Sequence, residues 1–124
     1  MLIGASPEWA LEVKMFRPNG DNGKPDDTAI KDILSPFASD RSALTDCAKL
    51  AESSIAPSHT TLICGFDDAR RPLQAMMEAF ETLARTRVRL GVRHEAPLRE
   101  LVHPVHRSGA VFGWEVTRRE VPNG

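Results

Sequence analysis

The stretch Thr60-Thr61-Leu62-Ile63-Cys64-Gly65-Phe66 constrains the fold most. Leu62, Ile63 and Cys64 form an uninterrupted apolar run, the mark of a strand covered on both faces. Pro57 and Ser58 break the chain just before it, and Asp67 and Asp68 follow it. The cover has to come from other elements, and the sequence predicts three helices that can provide it. Asp27 or Thr28 can cap a short helix with Ile30, Ile33 and Leu34 as its apolar positions, and Pro36 ends it. Asp40 caps a second helix over residues 40–54, with Leu44, Cys47, Ala48 and Ala51 on one side. Pro72 suits the first turn of a third, in which Leu73, Met76, Met77, Phe80 and Leu83 recur at helical spacing. The two methionines read as core filler.

Three or four strands join the central one. Residues 8–16 alternate, with Trp9, Leu11, Val13 and Met15 on one face and Ala10, Glu12, Lys14 and Phe16 on the other. Residues 17–27 hold two Pro and two Gly and form a loop. Residues 87–90 read as a short strand. The tail reads as a hairpin, residues 101–105 against 110–117, turning at Arg107-Ser108-Gly109, with Phe112 and Trp114 sharing a core face. The succession strand, two helices, strand, helix, strands defines an α/β protein: a mixed sheet flanked by helices with a C-terminal β-hairpin.

At 124 residues this amounts to a single domain. With 41% hydrophobic and 27% charged residues the chain is not a disordered, collagen-like or coiled-coil sequence. No apolar run approaches the ~20 residues that span a bilayer. The N-terminus lacks the basic start and long apolar stretch of a signal peptide. Two cysteines make no disulfide framework, so the expected compartment is the reducing cytoplasm. The net charge of −1 hides an asymmetry. Residues 1–84 hold 8 Lys and Arg against 13 Asp and Glu, whereas residues 85–124 hold 8 Arg against 4 Glu. An arginine-rich end of this kind can face phosphate or an acidic partner, and equally can be a solvated surface.

Glu12-Val13-Lys14 carries the most chemistry. Two apart on a strand, Glu12 and Lys14 emerge on one face roughly 7 Å apart at Cα. A carboxylate with a neighbouring backbone carbonyl can bind Mg²⁺, and a lysine beside it can orient an attacking water and offset charge on a phosphate. The polar, glycine-rich loop straight afterwards suits the border of a site. The same pair also fits a solvated strand face.

The stretch Pro7-Glu8-Trp9-Ala10-Leu11-Glu12-Val13-Lys14 resembles the E-x-K half of the PD-(D/E)XK nuclease superfamily, the restriction-endonuclease-like fold. The resemblance covers about residues 7–66, because in that family the E-x-K strand leads through a helix to another buried strand. It implies Mg²⁺-dependent hydrolysis of nucleic-acid phosphodiesters, DNA foremost. Glu12 would be the metal ligand and Lys14 the catalytic lysine, and Asp46 or Lys49 would add a polar group from the second helix. Arg17 and Lys24 in the following loop would contact nucleic acid. The family also uses an earlier aspartate, and no Asp precedes Asp21 here. Glu8 shares the face of Glu12 but stands roughly 13 Å away along a strand. Three readings follow: an N-terminally incomplete domain, an inactive relative that still binds nucleic acid or protein, or an acid supplied by Asp67, Asp68 or a partner chain, as in a homodimer.

Other constellations carry less. His103 and His106, three apart with Pro104 between, would point to opposite faces of a strand and do not suggest zinc. Cys47 and Cys64 read as small buried apolar residues. The loop at Gly20 and Gly23 matches no phosphate-binding fingerprint. Arg70-Arg71 opens a helix and reads as solvated.

Overall fold

The computed structural model describes residues 9–20, 22–26, 28–52, 58–68 and 72–118. In chain order the elements are β1 (Trp9–Phe16), α1 (Ala29–Leu34), a 3-10 turn (Ala38–Asp40), α2 (Ala43–Glu52), β2 (Ser58–Phe66), α3 (Leu73–Ala84), β3 (Val88–Leu90), β4 (His94–Leu98) and β5 (Gly109–Arg118). The fold is α/β, as the succession of patterns predicts.

The sheet is mixed. β1 pairs β2 in parallel, Lys14 opposite Ile63, and the crossover between them contains α1 and α2. β2 pairs β5 antiparallel, Thr61 opposite Trp114. The far edge of β5 is covered by β3 and β4 in succession. Leu90 stands opposite Val116 and His94 opposite Gly113, so three residues of one strand face two of the other. That is a β-bulge, pinned by the Gly91 N–H donating to the Glu115 carbonyl at 2.8 Å.

The tail hairpin is corrected in one arm. β5 lies where expected, but its partner is His94–Leu98, and residues 101–108 are irregular. His103 is the local reason. Its Nδ1 accepts from the backbone N–H groups of Val105 and His106 at 3.1 and 3.0 Å, which folds this segment into a turn. The cap of α2 is corrected too. Ser42 Oγ accepts from the Thr45 N–H at 3.2 Å, at the position of a helix N-cap. Asp40 instead accepts from the Ser35 hydroxyl and pairs with Lys31 at 3.4 Å.

All three helices contact one another, so they form one layer, on one face of the sheet. Beneath them Phe16, Ile63, Phe112, Trp114 and Val116 are fully buried against Ile33, Cys47, Met77 and Phe80. Gly65 sits under Leu73, where a Cβ would come within 2.6 Å of a Leu73 methyl. The expectation that Leu62–Cys64 is covered on both sides is therefore wrong in one half. Ile63 faces the helices and is buried, while Leu62 and Cys64 face the other way and stay half-buried.

β1 shows the effect most strongly. Its helix-facing row is Ala10, Glu12, Lys14 and Phe16, with the two charged residues half-buried. Its outward row is Leu11, Val13 and Met15, which are 54%, 56% and 48% exposed. A one-sided sheet usually turns apolar residues inward and polar residues out. In the middle of β1 this pattern is inverted. Among the described residues no helix is long and apolar enough to cross a membrane.

Candidate functional site

The inverted stretch of β1 and the neighbouring part of β2 build a polar patch under the helices. Register sets Glu12 beside Thr61, Lys14 beside Ile63 and His59 beside Ala10. Period-two alternation turns all of these side chains toward the helix layer. From α2, Asp46 reaches Lys14, Oδ2 to Nζ at 3.0 Å, with the two side chains only 13% and 26% exposed. Asp46 lies in the first turn of α2, where a carboxylate is favoured by the helix dipole. Of the two helix residues that the resemblance suggests, Asp46 thus joins the patch. Lys49 is exposed, and no described ion pair links it to the patch.

Two further residues belong here. Thr61 is 1% exposed and His59 is 8% exposed. Thr61 Oγ1 and His59 Nε2 have no hydrogen-bond partner among the described residues. A buried polar atom left unpaired costs about 1–3 kcal/mol, and each such case in a folded protein calls for a reason such as a bound water or ligand. No sequence motif marks either residue. Their signal was the alternation of β2 itself, which sets His59 and Thr61 on the face of Ile63. Thr61→Val, which removes only the hydroxyl's hydrogen bonding, is expected to raise stability by ~1 kcal/mol in urea unfolding if the hydroxyl is unpaired. A loss instead would reveal an ordered water bonded to it.

Two carboxylates, an ammonium, a hydroxyl and an imidazole therefore share one sheltered surface. Mg²⁺ takes hard oxygen donors and needs only one or two carboxylates, with water and phosphate filling the other positions. Glu12, the Thr61 hydroxyl and the carbonyls of β1, which pairs only β2 among the described strands, are donors of this kind. No group of three His, Cys, Asp or Glu comes together among the described residues. The donor set fits an ion shared with a phosphate substrate and does not fit a closed protein cage.

The other suggested acids do not reach. Asp67 lies six positions beyond Thr61, roughly 20 Å along the strand direction, and it accepts from the Ser108 hydroxyl at 2.7 Å. Asp67 and Asp68 line a separate hollow with Gln74, Glu95 and Arg99. Glu8 lies outside the described residues. Arg17 and Lys24 are both exposed in the loop after β1. That loop is ordered by the Asp26 N–H donating to the Pro18 carbonyl at 2.9 Å and by Gly20 N–H donating to the Lys24 carbonyl at 2.8 Å. No described hydrogen bond or ion pair ties Arg17 or Lys24 to Glu12 or Lys14.

The cysteines, and the histidines of the turn over residues 101–108, make structural contacts outside the patch. Burial pushes the Cys47 thiol up to about 11, which removes it as a nucleophile. The Cys64 thiol is also raised by burial. The His103 and His106 rings stack 4.7 Å apart in the turn, and His106 also packs on Phe66.

A second polar cluster pins the opposite side of the core. The Glu81 carboxylate accepts from Arg93 Nε at 3.1 Å, from Arg93 Nη2, and from Trp114 Nε1 at 2.9 Å. The bulge aims Arg93 at it, and Gln74 Oε1 accepts the remaining guanidinium arm at 2.6 Å. These hydrogen bonds, those from Arg93 foremost, hold the Glu81 carboxyl below the usual glutamate range. Glu81 sits four residues after Met77, inside the apolar stripe of α3, a placement that sequence alone could have flagged.

No protein-family profile, no curated protein and no solved structure matches this chain. The class that the architecture defines is α/β, with a mixed five-stranded sheet and three α-helices among the described residues.

Proposed function

We propose that this chain is a nuclease-like α/β domain acting on nucleic-acid phosphodiesters, with Glu12 and Lys14 at its centre. The inversion of β1 is the observation that carries this reading. Turning charged side chains under a helix layer costs desolvation free energy, and Leu11, Val13 and Met15 on the same strand were available to fill that space. Charged groups held at such a cost are more common at functional sites than on ordinary strand faces.

In this reading Lys14 presents its ammonium to the phosphate or to the attacking water, and Asp46 holds the ammonium in place until substrate arrives. Glu12, with the Thr61 hydroxyl beside it, would hold Mg²⁺, which supplies Lewis-acid polarisation of the phosphate when bound. Arg17 and Lys24, exposed on the loop that follows, would contact flanking phosphates. The resemblance to the PD-(D/E)XK pattern supports the same assignment. The aspartate of that pattern would come from a strand added to the outer edge of β1, which carries no partner strand among the described residues.

The test is Mg²⁺-dependent cleavage of plasmid and linear DNA. Wild-type protein is expected to cut, and Lys14→Ala and Glu12→Gln are each expected to lose ~100-fold or more. Equal rates in wild type and Lys14→Ala would remove Lys14 from the chemistry. A second reading, a non-catalytic nucleic-acid or protein interaction module, is favoured by the pairing of Lys14 with Asp46 and by the lack of a three-ligand cluster among the described residues. Salt-dependent DNA binding without cleavage by wild type would decide for it.

A further inference from the structure

The two sides of the sheet end differently. On the far side β5 is flanked by two short strands, β3 (Val88–Leu90) and β4 (His94–Leu98), with the bulge between them and Pro97 within β4. Short strands, a bulge and a proline are devices that keep a sheet edge from pairing with another chain. β1 has none of them. It runs for eight residues in unbroken register with β2, free of Pro and Gly, and pairs with no other strand among the described residues. Its only charges are Glu12 and Lys14, half-buried on the helix side. A lone inward charge on an edge strand opposes pairing. Two opposite charges that flank a single residue instead select a register.

We infer that the outer edge of β1 pairs antiparallel with the same edge of a second copy, around a two-fold axis that passes through Val13 perpendicular to the sheet. Residues directly opposite each other must share a face, so the axis has to fall on a residue and not between two. The two registers of greatest overlap are centred on Glu12 and on Val13. Centring on Glu12 sets Glu12 against its own copy and Lys14 against Ala10. Centring on Val13 sets Glu12 against Lys14, Leu11 against Met15 and Ala10 against Phe16, each of them twice. Along residues 10–16 of both copies this register matches opposite charges with each other and apolar residues with each other, the pairs that stabilise a sheet. Lys14 keeps its contact with Asp46, because an ammonium has three donors. The axis leaves both helix layers on one side of the joined sheet, so the second copy adds its Glu12 to the polar patch of the first. The two Glu12 residues then stand roughly 8 Å apart at Cα, diagonal neighbours on one face. That is a second carboxylate for a patch in which no three His, Cys, Asp or Glu of one chain come together among the described residues. Its use in holding Mg²⁺ rests on the phosphodiester reading, whereas the pairing of the strands stands apart from it.

Sedimentation equilibrium and a pair of cysteine variants test the pairing. Wild type is expected to be a dimer at micromolar concentration. Glu12→Lys sets like charges opposite each other twice and is expected to weaken the dimer at least ~10-fold with an unchanged circular dichroism spectrum. The cysteine variants are made with Cys64→Ser, since Cys64 is half-buried on the outward face of β2. Val13 lies on the axis and is 56% exposed. The two copies of its Cα would stand ~5 Å apart, within disulfide reach, so Val13→Cys is expected to oxidise to a covalent dimer. The two copies of Leu11 would lie roughly 14 Å apart, so Leu11→Cys is expected to stay uncrosslinked. Both cysteine variants leave the charges untouched and decide the register even where Glu12→Lys does not fold. A wild type that stays monomeric at ~100 µM would overturn the inference and leave the edge to a strand of another chain. A dimer that folded Glu12→Lys does not weaken would also overturn it, as would Leu11→Cys cross-linking as readily as Val13→Cys. A dimer cross-linked at Val13 that cuts no DNA would uphold the pairing and end the phosphodiester reading, and a monomer that cuts DNA would do the reverse.

Discussion

Glu81→Ala is expected to destabilise the protein by ~3 kcal/mol, read from urea unfolding at neutral pH. The substitution removes three hydrogen bonds at once and leaves the Arg93 guanidinium and the Trp114 indole N–H without their main partner. Arg93 is only 18% exposed and keeps Gln74 and a distant Glu95 oxygen at 4.0 Å, so solvent compensates little of the loss. The double variant Glu81→Leu with Arg93→Met is expected to lose less than the two single variants together, because it leaves no buried charge alone. The pH dependence follows in sign. The folded-state carboxyl is held below its ordinary value of 4.5, chiefly by the Arg93 hydrogen bonds. Its contribution is therefore complete above that value and is lost as pH falls through the folded-state pKa. Glu81→Gln is expected to flatten this part of the acid limb, and identical acid limbs would show that the pair carries no such linkage.

Gly109→Ala is expected to cost ~3 kcal/mol or more. β5 begins at Gly109, directly across from Phe66, and its Cα faces the β2 backbone. A Cβ there would collide with the Gly65 carbonyl oxygen and lie 2.9 Å from both the Gly65 carbonyl carbon and the Phe66 Cα. Backbone on both strands cannot move aside without breaking ladder hydrogen bonds. Gly65→Ala provides the contrast. Its Cβ would meet only the end of the Leu73 side chain, which can rotate, so a loss of ~1 kcal/mol is expected. Equal losses from the two substitutions in urea unfolding would contradict the close approach of the strands.

Local periodicity located most elements, because each is driven by its own residues. Alternation over β1, the stripe Leu73, Met77 and Phe80 of α3, and the Pro-rich and Gly-rich loop after β1 all lie where their patterns put them. β4 was not legible, since His94-Glu95-Ala96-Pro97-Leu98 lacks alternation and is a strand only because β5 offers it an edge. The cap of α2 turned on a competition between Asp40 and Ser42, decided when Ser35 captured Asp40. The orientation of β1 was hidden for a deeper reason. Period two says which residues share a face, but not which face meets the helices. The pairing of Lys14 with Asp46, and the place of Thr61 and His59 beside Glu12, depend on that choice and on register with a strand 49 residues away at Lys14 and Ile63.

The position of β1 also bears on when the site exists. Among the described residues it is hydrogen-bonded to one neighbour only, and its apolar row gains nothing from the core. Among its described side chains, Phe16 is the one that is large and fully buried. Such a strand has the least holding it of any long strand in the sheet, so it can detach locally while β2, β5 and α3 stay folded. Glu12 and Lys14 would leave with it, and Thr61 would be uncovered. The patch is then a population, present in the fraction of molecules with β1 docked. Anything that grips Glu12 or Lys14, or that covers Val13 from outside, raises that fraction, so occupancy of one side of the strand favours occupancy of the other.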